Sequence, residues 1–242
     1  MLVIAHRGAS GHCPENTLSA MEYALSLGAE AIELDVHCVE GELYVFHDRR
    51  LEYKSCGQGL IDQRSQNELS QITVLGEAIP TLWQVLQLVA GRAMVNIELK
   101  GVNTLAPLIA AYPRYLSELG FSAEQLLISS FNHRYLLQLR QALPHARIGV
   151  LFSGIPLDYD TTINAIQPYS LHLDINFISL DMLKCAQQLG IKTYAYTVDY
   201  IDDMHYLQQL GVDGIFCNFP DRAMHALAEP ASADIPAANW FD

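Results

Sequence analysis

Short apolar runs alternate with amphipathic helical segments from one end of this chain to the other, and that rhythm limits the possible folds more than any single residue does. "LVIA" (2–5) precedes a helical run opened by Asn16 and Thr17, in which Leu18, Met21, Ala24 and Leu25 share one face before Gly28. "AIELDV" (31–36) comes next, and "ELYVFHD" (42–48) reads as its extended continuation after a turn at Gly41. "TLWQVLQLVAG", capped by Thr81, leads to "AMVNIELK" (93–100). Further strands are expected at 126–131, 147–152, 169–175, 192–198 and 214–219. Helices are expected between them over 104–119, 133–142, 159–167, 179–190 and 200–211, with a last one over 221–228.

Repeated alternation of this kind implies a parallel sheet, and eight strand–helix units in about 230 residues match an α/β fold of the (β/α)8 TIM-barrel type. A doubly wound open sheet is the alternative, but its central strands would be apolar throughout. Here polar residues gather at strand ends, as in His6-Arg7, Glu33/Asp35, Glu98/Lys100, Ser130, His172/Asp174, Thr197/Asp199 and Asn218. In a barrel those ends converge on one mouth. The expected organisation is therefore a single barrel domain over 1–228, with a polar, irregular insertion at about 49–80 and an Ala/Pro-rich tail at 229–242. Trp240 and Phe241 could dock that tail on the surface.

Composition narrows the partners. With a formal charge of −13 the chain has no surplus of cations to neutralise nucleic acid or an anionic membrane, although two or three local cations suffice for a small phosphorylated ligand. Five widely spaced cysteines form no C-x-x-C pair, which points to reduced thiols in a cytoplasmic setting. "MLVIAHRG" has neither the basic start nor the long apolar run of a signal peptide or membrane span. A homo-oligomer is compatible with this composition.

Glu33 and Asp35 are two apart in a strand and so share a face, while Ile32, Leu34 and Val36 take the other. Two like charges on a buried strand are costly unless a proton, a cation or a metal compensates. Glu98 and Lys100 repeat the spacing on the next barrel strand, giving three carboxylates from adjacent strands. Such hard oxygen donors suit Mg²⁺, Ca²⁺ or Mn²⁺. His6-Arg7 and His47-Asp48 add two imidazoles at strand ends, and Arg7 with Lys100 supplies the cations a phosphate group needs. Together these parts describe metal-assisted hydrolysis of a phosphate ester. His172 lies on a strand end and is expected to line the pocket, whereas His12, His37, His133, His145, His205 and His225 read as surface or structural residues.

The stretch "AHRGASGHCPENTLSAMEYALSLGAEAIELDVHCVEGELYVFHD", continued through "TLWQVLQL", "NIELK", "ISSFN", "YTVD" and "GVDGIFCNFPD", resembles the glycerophosphodiester phosphodiesterase family across nearly the whole chain. The resemblance implies a barrel with a short module inserted after the second strand. It also implies an enzyme that hydrolyses small-molecule glycerophosphodiesters to glycerol 3-phosphate and an alcohol. By it, Glu33, Asp35 and Glu98 bind a divalent metal, Mg²⁺ or Ca²⁺, and His6 and His47 form the acid–base pair in an order left open. Arg7 and Lys100 contact phosphate, and Phe131 and Tyr196 line the substrate pocket. Glu15 and Asn16 order the loop beneath the site, and Asp48 supports His47.

Two departures stand out: Tyr196-Thr197-Val198 replaces the frequent Trp-Thr-Val, and Cys217-Asn218 replaces Thr-Asp. Both are expected around the pocket, clear of the metal and the histidines. A lysophospholipid or sphingolipid phosphodiesterase on the same barrel is the nearest rival and would need an apolar rim, of which charge gives no sign. A retaining glycosidase would leave Arg7, Lys100 and both histidines without a task, and a silent phosphodiester-binding module would be favoured by loss of either histidine or an acid, none of which is missing.

Overall fold

The computed structural model describes residues 1–228, so the expected tail at 229–242 lies outside the described residues. In chain order the elements are β1 (Leu2–His6), α1 (Leu18–Ser26), β2 (Ala31–Val39), β3 (Glu42–Val45), α2 (Gln66–Leu69), β4 (Thr73–Val74) and β5 (Glu77–Ala78). Next come α3 (Leu82–Val89), β6 (Met94–Leu99), α4 (Leu105–Glu118), β7 (Leu126–Ser130), α5 (His133–Ala142), β8 (Arg147–Phe152) and α6 (Asp160–Ile166). The chain continues through β9 (Ser170–Asp174), α7 (Leu180–Leu189), β10 (Lys192–Tyr196), α8 (Ile201–Gln209), β11 (Gly214–Cys217) and α9 (Pro220–Ala228). Eight of the strands (β1, β2 and β6 through β11) are parallel and in sequential order, and β1 pairs with both β2 and β11. The sheet is closed, and the fold is a TIM barrel.

Parity divides each strand between two environments. Ile32, Leu34 and Val36 of β2 are fully buried in the layer between barrel and helices, together with Val85 and Leu86 of α3. Each such side chain contributes about 1.5–3 kcal/mol by leaving water. Ile4, Ala31, Leu127, Tyr194 and Phe216 point the other way and fill the barrel interior. Helix starts follow local chemistry: Thr17 Oγ1 accepts from the Ala20 N–H, and Thr81 with Gln84 forms a capping box at α3. Gly8, at φ +79, lets the β1–α1 turn lie against α1, because a Cβ there would stand 2.6 Å from the Ala20 carbonyl carbon.

Residues 42–48 turn back after Gly41, so that β3 runs antiparallel to β2 with Val36 opposite Val45. The Phe46 N–H still bonds to the Asp35 carbonyl at 2.9 Å, which delivers His47 to the barrel mouth. The segment after it is less irregular than its composition suggests. It contains α2 and the β4–β5 hairpin, and Leu51, Ile61, Leu69, Val74 and Ile79 pack with Val39 and Phe46 as a small separate core. Those apolar residues are too widely spaced to give a periodic signal, and only the fold gathers them.

Candidate active site

β2 and β6 lie side by side with Glu33 opposite Asn96 and Asp35 opposite Glu98, so strand parity turns all three acids into the mouth. Glu33, Asp35 and Glu98 are buried, and one oxygen from each lies within 4.8 Å of the others. Burial, with Asp35 and Glu98 alongside, pushes Glu33 well above the usual carboxylate range. Burial and Asp35 raise Glu98 to about 7, against the pull of Lys100. Burial acts on Asp35 too, but Arg7, His47 and Lys100 outweigh it and hold this carboxyl below its ordinary value. Two acids pushed up beside one held down is the signature of a cluster short of positive charge. The donor set is entirely hard oxygen and fits a divalent cation.

The cations of the mouth are already engaged by these acids. The Arg7 N–H donates to Glu33 Oε2 at 3.0 Å, and its guanidinium stands 2.9 Å from Glu15 Oε1 and 3.2 Å from Asp35 Oδ2. Lys100 Nζ is 3.1 Å from Glu98 Oε1 and 4.0 Å from Asp35 Oδ1. Glu15 also receives Lys54 of the inserted segment at 2.9 Å. Asn16 reaches further into the site than a loop-ordering role requires: its Nδ2 donates to Asp35 Oδ2 at 2.9 Å, and its Oδ1 accepts from the Asp35 N–H.

Both histidines are tied back through Nδ1. His47 Nδ1 lies 2.6 Å from Asp48 Oδ1, and His6 Nδ1 lies 2.8 Å from Asn218 Oδ1. The Asn218 Nδ2 donates to Asp199 Oδ2 and its Oδ1 accepts from Ser10, so that oxygen can only be the acceptor toward His6. His6 therefore carries its proton on Nδ1 and presents a bare Nε2, 3.9 Å from Glu33. Burial, then the Arg7 charge, lower His6 to about 4. Burial also lowers His47, with Asp35 and Asp48 opposing.

His6, Arg7, Glu33, His47, Glu98, Lys100, Phe131, His172 and Tyr196 line one cavity of about 430 Å³ at the C-terminal ends of the strands. Asp35 lies just behind that wall, bonded to Asn16 and Arg7.

Residues 6–222 match the model of the glycerophosphoryl diester phosphodiesterase family. The chain belongs to this family. A glycerophosphodiester phosphodiesterase of Caldanaerobacter subterraneus subsp. tengcongensis is 35% identical over 236 residues, covering 91% of this chain and 95% of that relative. One from Bacillus altitudinis is 33% identical over 241 residues, covering 92% and 96%. An Oleispira antarctica phosphodiesterase, solved in complex with the product sn-glycerol-3-phosphate, superposes with a TM-score of 0.86 at 28% identity, covering 95% of this chain and 97% of that one. The chain is accordingly a phosphoric diester hydrolase of the glycerophosphodiester phosphodiesterase type.

Against this family's pattern, the expectation that both departures stay clear of the histidines fails for Asn218, which is the Nδ1 partner of His6. The two residues are 212 positions apart and meet only because β11 closes the barrel beside β1. Tyr196 does remain on the pocket wall, its hydroxyl donating to the Phe152 carbonyl at 2.8 Å. His172 is fully buried at the cavity floor, bonded to Ser170 through Nε2, with Gly149 leaving room for its ring. Burial lowers its pKa to about 3.

His37, read from sequence as surface or structural, is 3% exposed, and its Nε2 donates to the His47 carbonyl at 3.0 Å. Its shared parity with Glu33 and Asp35 was the available signal. Asn218 offered only its place at a strand end and its departure from the family's Thr-Asp.

Proposed function

We propose that this chain hydrolyses glycerophosphodiesters, the deacylated headgroups of phospholipids, in a metal-dependent reaction that releases glycerol 3-phosphate and an alcohol. The observation that carries the reading is one cavity lined by Glu33 and Glu98, with the third clustered carboxylate, Asp35, just behind its wall, together with two cations and two imidazoles braced through Nδ1. The product-bound Oleispira antarctica phosphodiesterase supports the product assignment.

In this reading Glu33, Asp35 and Glu98 hold Mg²⁺ or Ca²⁺, which supplies Lewis-acid charge at the phosphoryl group. His6, with its bare Nε2 toward the cavity, accepts a proton from the water whose oxygen attacks phosphorus, and Asn218 keeps the tautomer that makes this possible. As the phosphorus–oxygen bond to the alcohol breaks, His47 gives its Nε2 proton to the leaving oxygen. The Asp48 carboxylate behind it opposes the burial that disfavours the protonated ring. Arg7 and Lys100 stabilise the remaining phosphoryl oxygens as charge builds. Asn16 and Glu15 hold Asp35 and Arg7 in place.

Among the described residues no helix is long and apolar enough to cross a membrane, and the five cysteines are unpaired thiols. We place the enzyme in the reducing cytoplasm, acting on small dissolved diesters rather than nucleic acid.

The test is a panel of choline, ethanolamine and glycerol diesters assayed for glycerol 3-phosphate after EDTA treatment and again after Mg²⁺ or Ca²⁺ is restored. Activity that disappears with EDTA and returns with metal is expected. Lysophosphatidylcholine belongs in the panel, because Val102, Ile155, Leu157, Phe177 and Tyr200 are exposed on loops at the mouth. Activity confined to that lysolipid, or indifferent to EDTA, refutes the proposal.

A further inference from the structure

Among the described residues the lysine and arginine side chains that line the cavity stand on one side of it. Arg7 and Lys100 lie against the acids of β2, β6 and the β1–α1 loop. Across the barrel stands Asp174, at the end of β9. β9 is sixth in an order of eight and β2 is second, so the two strands are diametrically opposed. Asp174 lines the same cavity. Its Oδ1 accepts from the Asn176 N–H at 2.9 Å and from Asn176 Nδ2 at 2.8 Å, closing the turn at Ile175–Phe177. Among the described residues its Oδ2 takes no hydrogen bond, and no lysine, arginine or histidine lies within ion-pair distance of it.

Aromatic rings line the same cavity as this carboxylate. Asp174 pairs in register with Tyr196 on β10, so both side chains leave neighbouring strands on the inward face. The Tyr196 ring is anchored by its hydroxyl bond to Phe152 and stands edge-on to Phe131, with centroids 6.1 Å apart. Lys100 approaches Phe131 at 5.5 Å, so Tyr196 is the ring left without a protein cation among the described residues. A free carboxylate beside an aromatic ring is the chemistry that receives an ammonium group.

The charge of the substrate points the same way. A phosphodiester is an anion, and one that carries a neutral alcohol brings that anion toward Asp174 without compensation. An amino-alcohol places a positive charge between the two.

We propose that Asp174 and Tyr196, with Phe131, form a subsite for the alcohol half of the substrate that favours diesters whose alcohol bears an ammonium group. This rests on the hydrolysis of glycerophosphodiesters proposed above.

The experiment compares kcat/KM for glycerophosphoethanolamine and glycerophosphoglycerol, with metal present, in the wild type and in Asp174→Asn. Asparagine keeps the acceptor that closes the 175–177 turn and removes only the charge. The wild type is expected to favour the ethanolamine diester by about tenfold, a partly screened ion pair's worth, and the ratio is expected to fall to about two or less in D174N.

A purely structural role for Asp174 would lower both substrates together and leave the ratio in place, which overturns the proposal, as does a wild-type ratio near one. Should D174N be too damaged to assay, the wild-type ratio decides: a ratio that shrinks at high salt supports the subsite, and a salt-independent one overturns it. A wild type that cleaves neither diester with metal present refutes the functional reading itself, and the subsite with it.

Discussion

His172 makes the cavity floor a determinant of acid stability. Its ring is fully buried against Tyr194 and Phe216, and burial lowers its pKa from 6.5 to about 3. In the folded barrel it is neutral at any ordinary pH, whereas in the unfolded chain it protonates below about 6.5. Between those values the unfolded state binds the extra proton, so stability rises with pH across this window. The contribution is fully present above pH 6.5 and is lost progressively as pH falls toward 3. At pH 5 the unfolded state gains about 1.36 × 1.5, or roughly 2 kcal/mol, from this one group.

Glutamine at 172 removes the titration, although it also changes absolute stability by altering the packing. The informative quantity is therefore a double difference: urea unfolding of wild type and His172→Gln at pH 7.5 and at pH 5. The stability gap between the two proteins should move by about 2 kcal/mol in favour of the variant at the lower pH. A gap that stays constant within about 0.5 kcal/mol would mean that the buried imidazole is already protonated or is hydrated when folded, and the reasoning would be wrong.

Two further outcomes follow from the site. His6→Ala and His47→Ala should each lower kcat by about 10² to 10⁴ with metal present, measured as glycerol 3-phosphate release from glycerophosphocholine, and near-normal turnover in either would remove that residue from the acid–base pair. Asn218→Ala should leave His6 without its Nδ1 acceptor, at a cost of about 2 kcal/mol or roughly thirtyfold in kcat, with KM changing much less. An unchanged kcat would show that the His6 tautomer is set by some other contact.

The site separates by range along the chain. Glu33 with Asp35, and Glu98 with Lys100, are legible in sequence because a period of two is a local property of any strand. His6-Arg7 and His47-Asp48 are legible as adjacent pairs at strand ends, and His47 does bond to Asp48. The hairpin at 42–45 was less so, because a continued strand and a returning one share the same alternation and differ only in the turn at Glu40 and Gly41, both at positive φ. The small core beneath the inserted segment was hidden for a related reason, since Leu51, Ile61, Leu69, Val74 and Ile79 follow no single period.

By itself, then, the sequence determined the strand–helix alternation, the face on which each acid sits and the family. It could not determine which distant ends meet. Asn218 reaches His6 because β11 closes on β1, and Asp174 faces the acid cluster because the sixth strand of eight stands opposite the second. Strand parity acts over two residues, whereas barrel closure is a property of all eight strands together, and contacts made by closure leave no periodic trace in the chain.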